Sequence, residues 1–119
     1  PRGPMAQAVF DAIAAALPSE GARLVKSFGG SVQFVVETAA GPLAYRIDLS
    51  DEASVACTQG EGEADLLVKV AEKDFVAIAE GQISPTQAFM QSKVKIKGKM
   101  NLAMKLAKVL DIAKPRSKL

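Results

Sequence analysis

Histidine and tryptophan are absent from this 119-residue chain, and cysteine and tyrosine occur once each. Without His, a metal site loses its commonest nitrogen donor, and acid–base chemistry near neutral pH loses its usual carrier. A single thiol, Cys57, cannot close an internal disulfide and suits a reducing compartment. It falls inside an apolar stretch with no imidazole to activate it, so burial explains it better than nucleophilic catalysis. Aromatic residues make up 5% of the chain, too few for a platform on which bases stack, and no nucleic-acid partner is expected. No apolar run reaches the length of a membrane span, and no N-terminal stretch reads as a secretory signal. The run Gly60-Glu61-Gly62-Glu63 lacks the lysine of a phosphate loop, and its acids would repel phosphate. Glu61, Glu63 and Asp65 likewise lack the spacing of a calcium loop. A catalytic residue, a metal and a cofactor are therefore not expected, and neither is an enzyme.

What is present can build a core. The chain is 49% hydrophobic and 24% charged, which bounds it to one globular domain. Its net charge of +2 conceals an asymmetry. From residue 92 onward eight Lys and one Arg face only Asp111, a net of +8, whereas the first 91 residues hold six basic and twelve acidic groups, a net of −6. Such a basic C-terminal third either keeps the protein soluble or steers it toward anionic surfaces. Pro1 to Pro4 read as a cloning remnant ahead of Met5, residues 5–113 as the domain, and 114–119 as a polar tail.

Along the chain, Val9, Phe10, Ile13 and Leu17 recur at helical spacing and predict a helix from Ala6 to Leu17, broken by Pro18-Ser19-Glu20. A shorter helix is expected over 20–27, with Leu24, Val25 and Phe28 as its apolar contacts, stopped by Gly29-Gly30. Ser31–Glu37 alternates as a strand with Val32, Phe34 and Val36 on one face. Residues 38–42 form a hairpin connection to a partner strand, Leu43–Leu49, whose inner residues are Leu43, Tyr45, Ile47 and Leu49. A third strand is predicted over Ala53–Thr58 and a fourth over Asp65–Val70, with Leu66, Val68 and Val70 inward. Glu72–Glu80 reads as a helix ending at Gly81, with Phe75, Ile78 and Ala79 inward. The class is α+β: a five-stranded, mostly antiparallel sheet with about five helices packed on one face.

The most informative stretch is Ser84–Ile112. Ser84, Pro85 and Gln87 have the order of an N-cap, a first helical position and the third residue of a capping box. Lys93-Val94-Lys95-Ile96-Lys97 alternates strictly, with Val94 and Ile96 inward and the lysines toward water. Gly98 then permits a sharp turn into a long helix beginning near Lys99. On that helix Leu102, Ala103, Leu106, Val109, Leu110 and Ala113 form one apolar stripe, and Met100, Met104 and Ala107 a second, flanked by lysines. A helix apolar on two sides must bury both. Either it lies between two layers, or the second stripe touches a bound apolar ligand, for which flexible methionines are suited.

These residues carry a resemblance. Pro85, Ala88 and Phe89, then Lys95, Ile96 and Lys97, then Gly98, Met100, Leu102, Ala103, Met104, Lys105 and Leu106 are similar to the C-terminal pattern of the sterol carrier protein type-two (SCP2) domain, the non-specific lipid-transfer proteins. Lys99 and Asn101 depart from that pattern in the first turn of the helix, and weaker similarity reaches back to about Phe10. The resemblance implies a hydrophobic cavity between sheet and helices that accepts fatty acyl-CoA, fatty acids, sterols or phospholipids. The apolar residues on its faces then become candidate lipid contacts: Phe10 and Ile13, Phe34 and Val36, and Phe75 and Ile78. In the C-terminal stretch they are Phe89, Met90, Ile96, Met100, Leu102 and Met104, followed by Leu106, Val109 and Leu110. At about 0.8 kcal/mol per buried methylene a sixteen-carbon chain gains roughly 12 kcal/mol gross, before ordering and association costs, so little polar readout is needed.

Two further expectations concern partners. Lys93, Lys95, Lys97 and Lys99 give a basic edge that could meet an anionic membrane transiently. The last three residues, Ser117-Lys118-Leu119, match the address that a peroxisomal import receptor reads at a free C-terminus, and the family is often peroxisomal. The expected function is intracellular lipid binding and transfer, in peroxisomes. The alternative is a domain that presents acyl substrates within a larger multifunctional β-oxidation enzyme; an unrecognised hydrolase has little support.

Overall fold

The computed structural model describes residues 5–112. Pro1–Pro4, Ala113 and the Ser117-Lys118-Leu119 tail lie outside the described residues.

The first helix, α1, runs unbroken over Met5–Ser27 with Pro18 inside it, where the sequence predicted a break and a second helix. Burial explains the difference. Ala6, Phe10, Ile13, Leu17, Gly21 and Leu24 recur every three or four residues on one buried face that passes straight through the Pro18 turn. Keeping that face on the sheet outweighs the roughly 3 kcal/mol that an interior proline costs. Gly21 belongs to the same face for a steric reason: a Cβ there would lie 2.9 Å from Cγ1 of Val55, so only glycine lets the helix approach this closely. The carboxylate of Glu72 caps the start of α1 from a distance, accepting the Ala6 N–H at 2.9 Å.

Strands β1 (Ser31–Thr38) and β2 (Gly41–Asp48) form an antiparallel hairpin with Ala39-Ala40 between them, a tighter connection than the sequence predicted. The third strand starts later than expected. Asp51 instead caps a 3-10 turn over Glu52–Ser54, its carboxylate accepting the Ala53 N–H, and β3 is confined to Ala56–Gln59. Strand β4 (Leu66–Ala71) pairs with β1 in parallel, and β5 (Val94–Gly98) pairs with β4 antiparallel. The order is β3-β2-β1-β4-β5, antiparallel in all but the central β1–β4 pair.

Helices α2 (Glu72–Ala79) and α3 (Pro85–Met90) fill the connection from β4 to β5. The capping box of α3 is complete: Ser84 Oγ accepts the Gln87 N–H at 3.0 Å, and Gln87 Oε1 accepts the Ser84 N–H at 3.3 Å. The long helix expected after Gly98 is instead two short ones, α4 (Met100–Ala103) and α5 (Leu106–Asp111). Between them Lys105 donates its N–H to the Leu102 carbonyl and Lys108 to that of Lys105, tightened three-residue bonds in place of four-residue ones. No residue there is a breaker by propensity; packing sets the interruption.

The helices lie on one face of the sheet and bury Val32, Phe34, Val36, Ile47, Leu66, Val68, Val70 and Val94 beneath them. Phe10 sits at the centre, stacked on Tyr45 and Phe75 and edge-on to Phe34, with ring centroids 4.3 to 5.8 Å away. On the opposite face the loop after β3 folds over β1 and β2. Gln33 donates to the Gly60 carbonyl at 3.0 Å and accepts the Gly62 N–H at 2.8 Å, while Arg46 Nε donates to the Glu63 carbonyl. The acidic Gly/Glu segment is thus a covering loop.

Candidate functional site: an apolar groove between α3, β5 and α4

Three local decisions in the sequence converge on one side of β5. The capping box fixes where α3 begins and so places Phe89 on its last turn. Alternation along β5 turns Ile96 toward the helices and Lys95 and Lys97 away from them. Gly98 then reverses the chain into α4 at a φ of +113°, a conformation open to glycine, where a Cβ would run into the Asp65 carbonyl.

Asp65 holds this corner together. Its carboxylate accepts the Ser31 N–H at 3.1 Å and lies 3.4 Å from the Lys99 ammonium, while its carbonyl accepts the Lys99 N–H at 2.9 Å. The Ser31 hydrogen bond first, with the Lys99 charge helping, holds its carboxyl below the usual carboxylate range. Nothing in the sequence pattern marked Asp65 as a link between three strands' ends.

The result is an apolar groove of about 300 Å³, lined by Pro85, Thr86, Phe89, Ile96, Met100, Asn101, Ala103 and Met104. That volume is at the lower end of the range for small-molecule pockets. Its wall residues are unusually bare: Phe89 is 42% exposed, Met100 45% and Met104 73%, and neighbouring Met90, outside the groove, is 77% exposed. A second pocket of about 310 Å³ opens on the far side of Pro85, between the α2–α3 turn and α5, with Ile78 and Leu110 in its lining.

Of the fifteen candidate lipid contacts, Phe89, Ile96, Met100 and Met104 come together on the groove, and Ile78 and Leu110 on the second pocket. Phe10, Ile13, Phe34, Val36, Phe75, Leu102, Leu106 and Val109 are instead packed against one another in the core. Pro85, Thr86, Asn101 and Ala103 also line the groove without having been among those candidates. The sequence marked Pro85 through the capping box and the family pattern, Ala103 through the stripe and the same pattern, Asn101 only as a departure from it, and Thr86 not at all. Lys93 is exposed just before β5, Lys95 and Lys97 face away from the groove, and Lys99 is engaged with Asp65.

The largest of these openings, about 460 Å³, is elsewhere, between α1 and β3 around Pro18, Gly21, Glu52 and Cys57. Its chemistry is poor. Burial, and to a smaller degree the Asp11 charge, push the Cys57 thiol up to about 11, so it is protonated at neutral pH and a weak nucleophile. Among the described residues no group of three or more acidic or Cys side chains could hold a metal ion, and no helix is long and apolar enough to cross a membrane.

Comparison with known proteins places this geometry. Residues 10–111 match the family model described as the SCP-2 sterol transfer family. Human sterol carrier protein 2 is 35% identical over 103 residues, covering 85% of this chain and 19% of that protein. Non-specific lipid-transfer protein-like 1 of Caenorhabditis elegans is 33% identical and covers 81% and 82%. Peroxisomal multifunctional enzyme A of Dictyostelium discoideum is 29% identical over 92% of this chain and 25% of its own length. The chain therefore spans about a fifth of the human relative and most of the nematode one. Among solved structures, apo sterol carrier protein 2 of Yarrowia lipolytica superposes with a TM-score of 0.78 at 23% identity over 91% of both chains. Palmitated SCP2-like 2 of Aedes aegypti gives 0.71 at 25% identity, covering 88% and 93%. On the sequence pattern, the sheet order and these matches, the chain belongs to the SCP-2 sterol transfer family.

Proposed function

We propose that this domain binds one lipid by its hydrocarbon chain in the groove between α3, β5 and α4 and carries it between membranes, without catalysis. The observation that supports this most is the groove's composition. Four flexible or aromatic side chains, Phe89, Ile96, Met100 and Met104, stand partly bare around an apolar trough. Leaving such surface in water is unfavourable by about 25 cal/mol per Å², and a hydrocarbon chain that covers it recovers that free energy. Methionines adapt to chains of different shape, which favours breadth: fatty acids, fatty acyl-CoA, sterols and phospholipids. Pro85 borders both pockets, which supports a long chain running from one toward the other beside it. Palmitate held by the mosquito neighbour supports a fatty acyl chain as ligand.

The exposed Met90 and Met104 next to the basic edge Lys93–Lys99 suit transient contact with an anionic bilayer during transfer. The terminal Ser117-Lys118-Leu119, together with the peroxisomal relative, supports uptake by the peroxisomal import receptor and function in that organelle. A second reading is favoured by the 19% and 25% shares of the longer relatives: a domain of this kind presenting acyl substrates to a fused enzyme.

Native mass spectrometry of the purified protein tests the first reading. Co-purified lipid of one equivalent, displaced by added palmitate, is the expected result. A protein that emerges without lipid, and that neither palmitate nor cholesterol shifts in mass, would overturn it.

A further inference from the structure

The other face of β5 is unlike a merely solvated one. Register places Lys69 of β4 directly opposite Lys95 of β5, and Leu67 opposite Lys97. Opposed residues of an antiparallel pair have Cβ atoms about 5 Å apart, and like charges in that relation are destabilising. Lys95 and Lys97, two residues apart, share the face. The three lysines and Leu67 line a pocket of about 270 Å³. Among the described residues none of the three lysines makes an ion pair, and Glu37, opposite Ala71 on the neighbouring β1, makes none with them. The covering loop shields β1 and β2 through Gln33 and Arg46, leaving the β4–β5 half of the sheet open.

Protection of a free edge accounts for Lys95 and Lys97, because β5 is an outermost strand. It does not account for Lys69, which lies on an inner strand between β1 and β5. Three uncompensated ammonium groups around one depression instead suit a compact, multiply charged oxyanion, which carries about −1.5 to −2 charge as a phosphate monoester. The pocket is also coupled in space to the groove. Ile96, flanked in sequence by Lys95 and Lys97, points through to the opposite face and lines the groove. Since β5 is the free edge, a ligand with its chain against Ile96 can bring its head round that edge.

We propose that Lys69, Lys95 and Lys97 form a site for the phosphate group of a lipid whose hydrocarbon chain occupies the groove. This rests on the lipid-binding reading above and deepens it: the phosphate-bearing ligands among those gain a place for the head on the face of β5 opposite the groove.

The test compares 1-palmitoyl lysophosphatidate with 1-monopalmitoylglycerol, which differ by the phosphate alone, in displacement titrations without vesicles. The wild-type chain should bind the phosphate-bearing lipid about tenfold more tightly, the scale of a charge-assisted contact. The Lys69→Gln, Lys95→Gln, Lys97→Gln triple variant should reduce that ratio to about twofold or less and leave monopalmitoylglycerol unaffected. A charge-matched triple, Lys26→Gln, Lys73→Gln, Lys108→Gln, should retain the ratio. No preference in the wild type, or an equal loss in the charge-matched variant, overturns the site. Inorganic pyrophosphate, titrated while backbone amide shifts are followed, separates the two readings. If neither lipid binds, the groove reading fails, and shifts confined to Leu67, Lys69, Lys95 and Lys97 would still locate an anion site; their absence would remove it. Pyrophosphate shifts without any preference for lysophosphatidate would assign the site to free anions and overturn its link to lipid.

Discussion

Met104 and Leu106 are two residues apart, and the structure gives them opposite surroundings. Met104 is 73% exposed on the groove wall, whereas Leu106 is 2% exposed in the core cluster with Leu102, Val109 and Leu110. Truncating Leu106 to alanine removes buried methyls and leaves a cavity, which costs about 2–5 kcal/mol. Truncating Met104 removes atoms that already face water or the groove, and the cost expected of such a surface change is about 0.5 kcal/mol or less. For lipid binding the order reverses. Full burial of a methionine side chain is worth about 1.5–3 kcal/mol, and a lipid covers roughly half of this one, so Met104→Ala should weaken binding by about 1 kcal/mol, or fivefold. Met104→Gln should weaken it more, since it sets an unpaired amide against hydrocarbon.

Urea unfolding of the lipid-free protein and displacement of a fluorescent fatty acid measure the two effects separately. The reasoning fails if Met104→Ala lowers the unfolding midpoint as far as Leu106→Ala while lipid affinity is unchanged. Met104 would then be core, and the groove an accident of packing.

Two further substitutions probe the corner that shapes the groove. Gly98→Ala puts a Cβ onto the Asp65 carbonyl at a φ of +113°, so it should cost at least about 2–3 kcal/mol; a midpoint within error of wild type would show that the β5–α4 turn relaxes freely. The Asp65 carboxyl is depressed in the folded state, so its contribution is present above the unfolded carboxylate pKa of about 3.9 and is lost as pH falls through the lower folded value. The stability gap between wild type and Asp65→Asn should therefore shrink between pH 5 and pH 3, and a gap that widens on acidification would refute the sign.

Most strands were legible because the helices bury one face of the sheet and favour apolar residues at every second position there. In β4 burial follows that period of two, and Leu66, Val68 and Val70 could be read directly from it; in β1 Val32, Phe34 and Val36 were legible too, although Gln33 and Val35 on the other face are also buried. The capping box at Ser84 and the stop at Gly29 are local chemistry that tertiary contacts did not disturb. The misreadings share a cause. Pro18 is a breaker only while the helix stands alone, and the continuous face from Ala6 to Leu24 supplies the packing that carries it through. The interruption near Met104, the late start of β3 and the link at Asp65 depend on residues far apart in sequence, which no local period encodes.

The candidate site was read from a helix that is in fact two. On a continuous helix, Met100 and Met104 formed a stripe away from Leu102 and Leu106; in the structure the first helix ends at Ala103 and Met104 lies in the tightened turn after it. The separation survived because it does not need the helix to continue. Leu102 and Leu106 are drawn under the sheet wherever the backbone bends, and their neighbours are left to the outer side, over Phe89 and Ile96. Hydrophobic patterning thus fixes which side chains face the core more firmly than it fixes the backbone that presents them. For the same reason the pattern could not separate a groove residue from a core residue. Phe10, Phe34 and Phe75 are as apolar as Phe89, and what distinguishes Phe89 is only that no later segment among the described residues covers it.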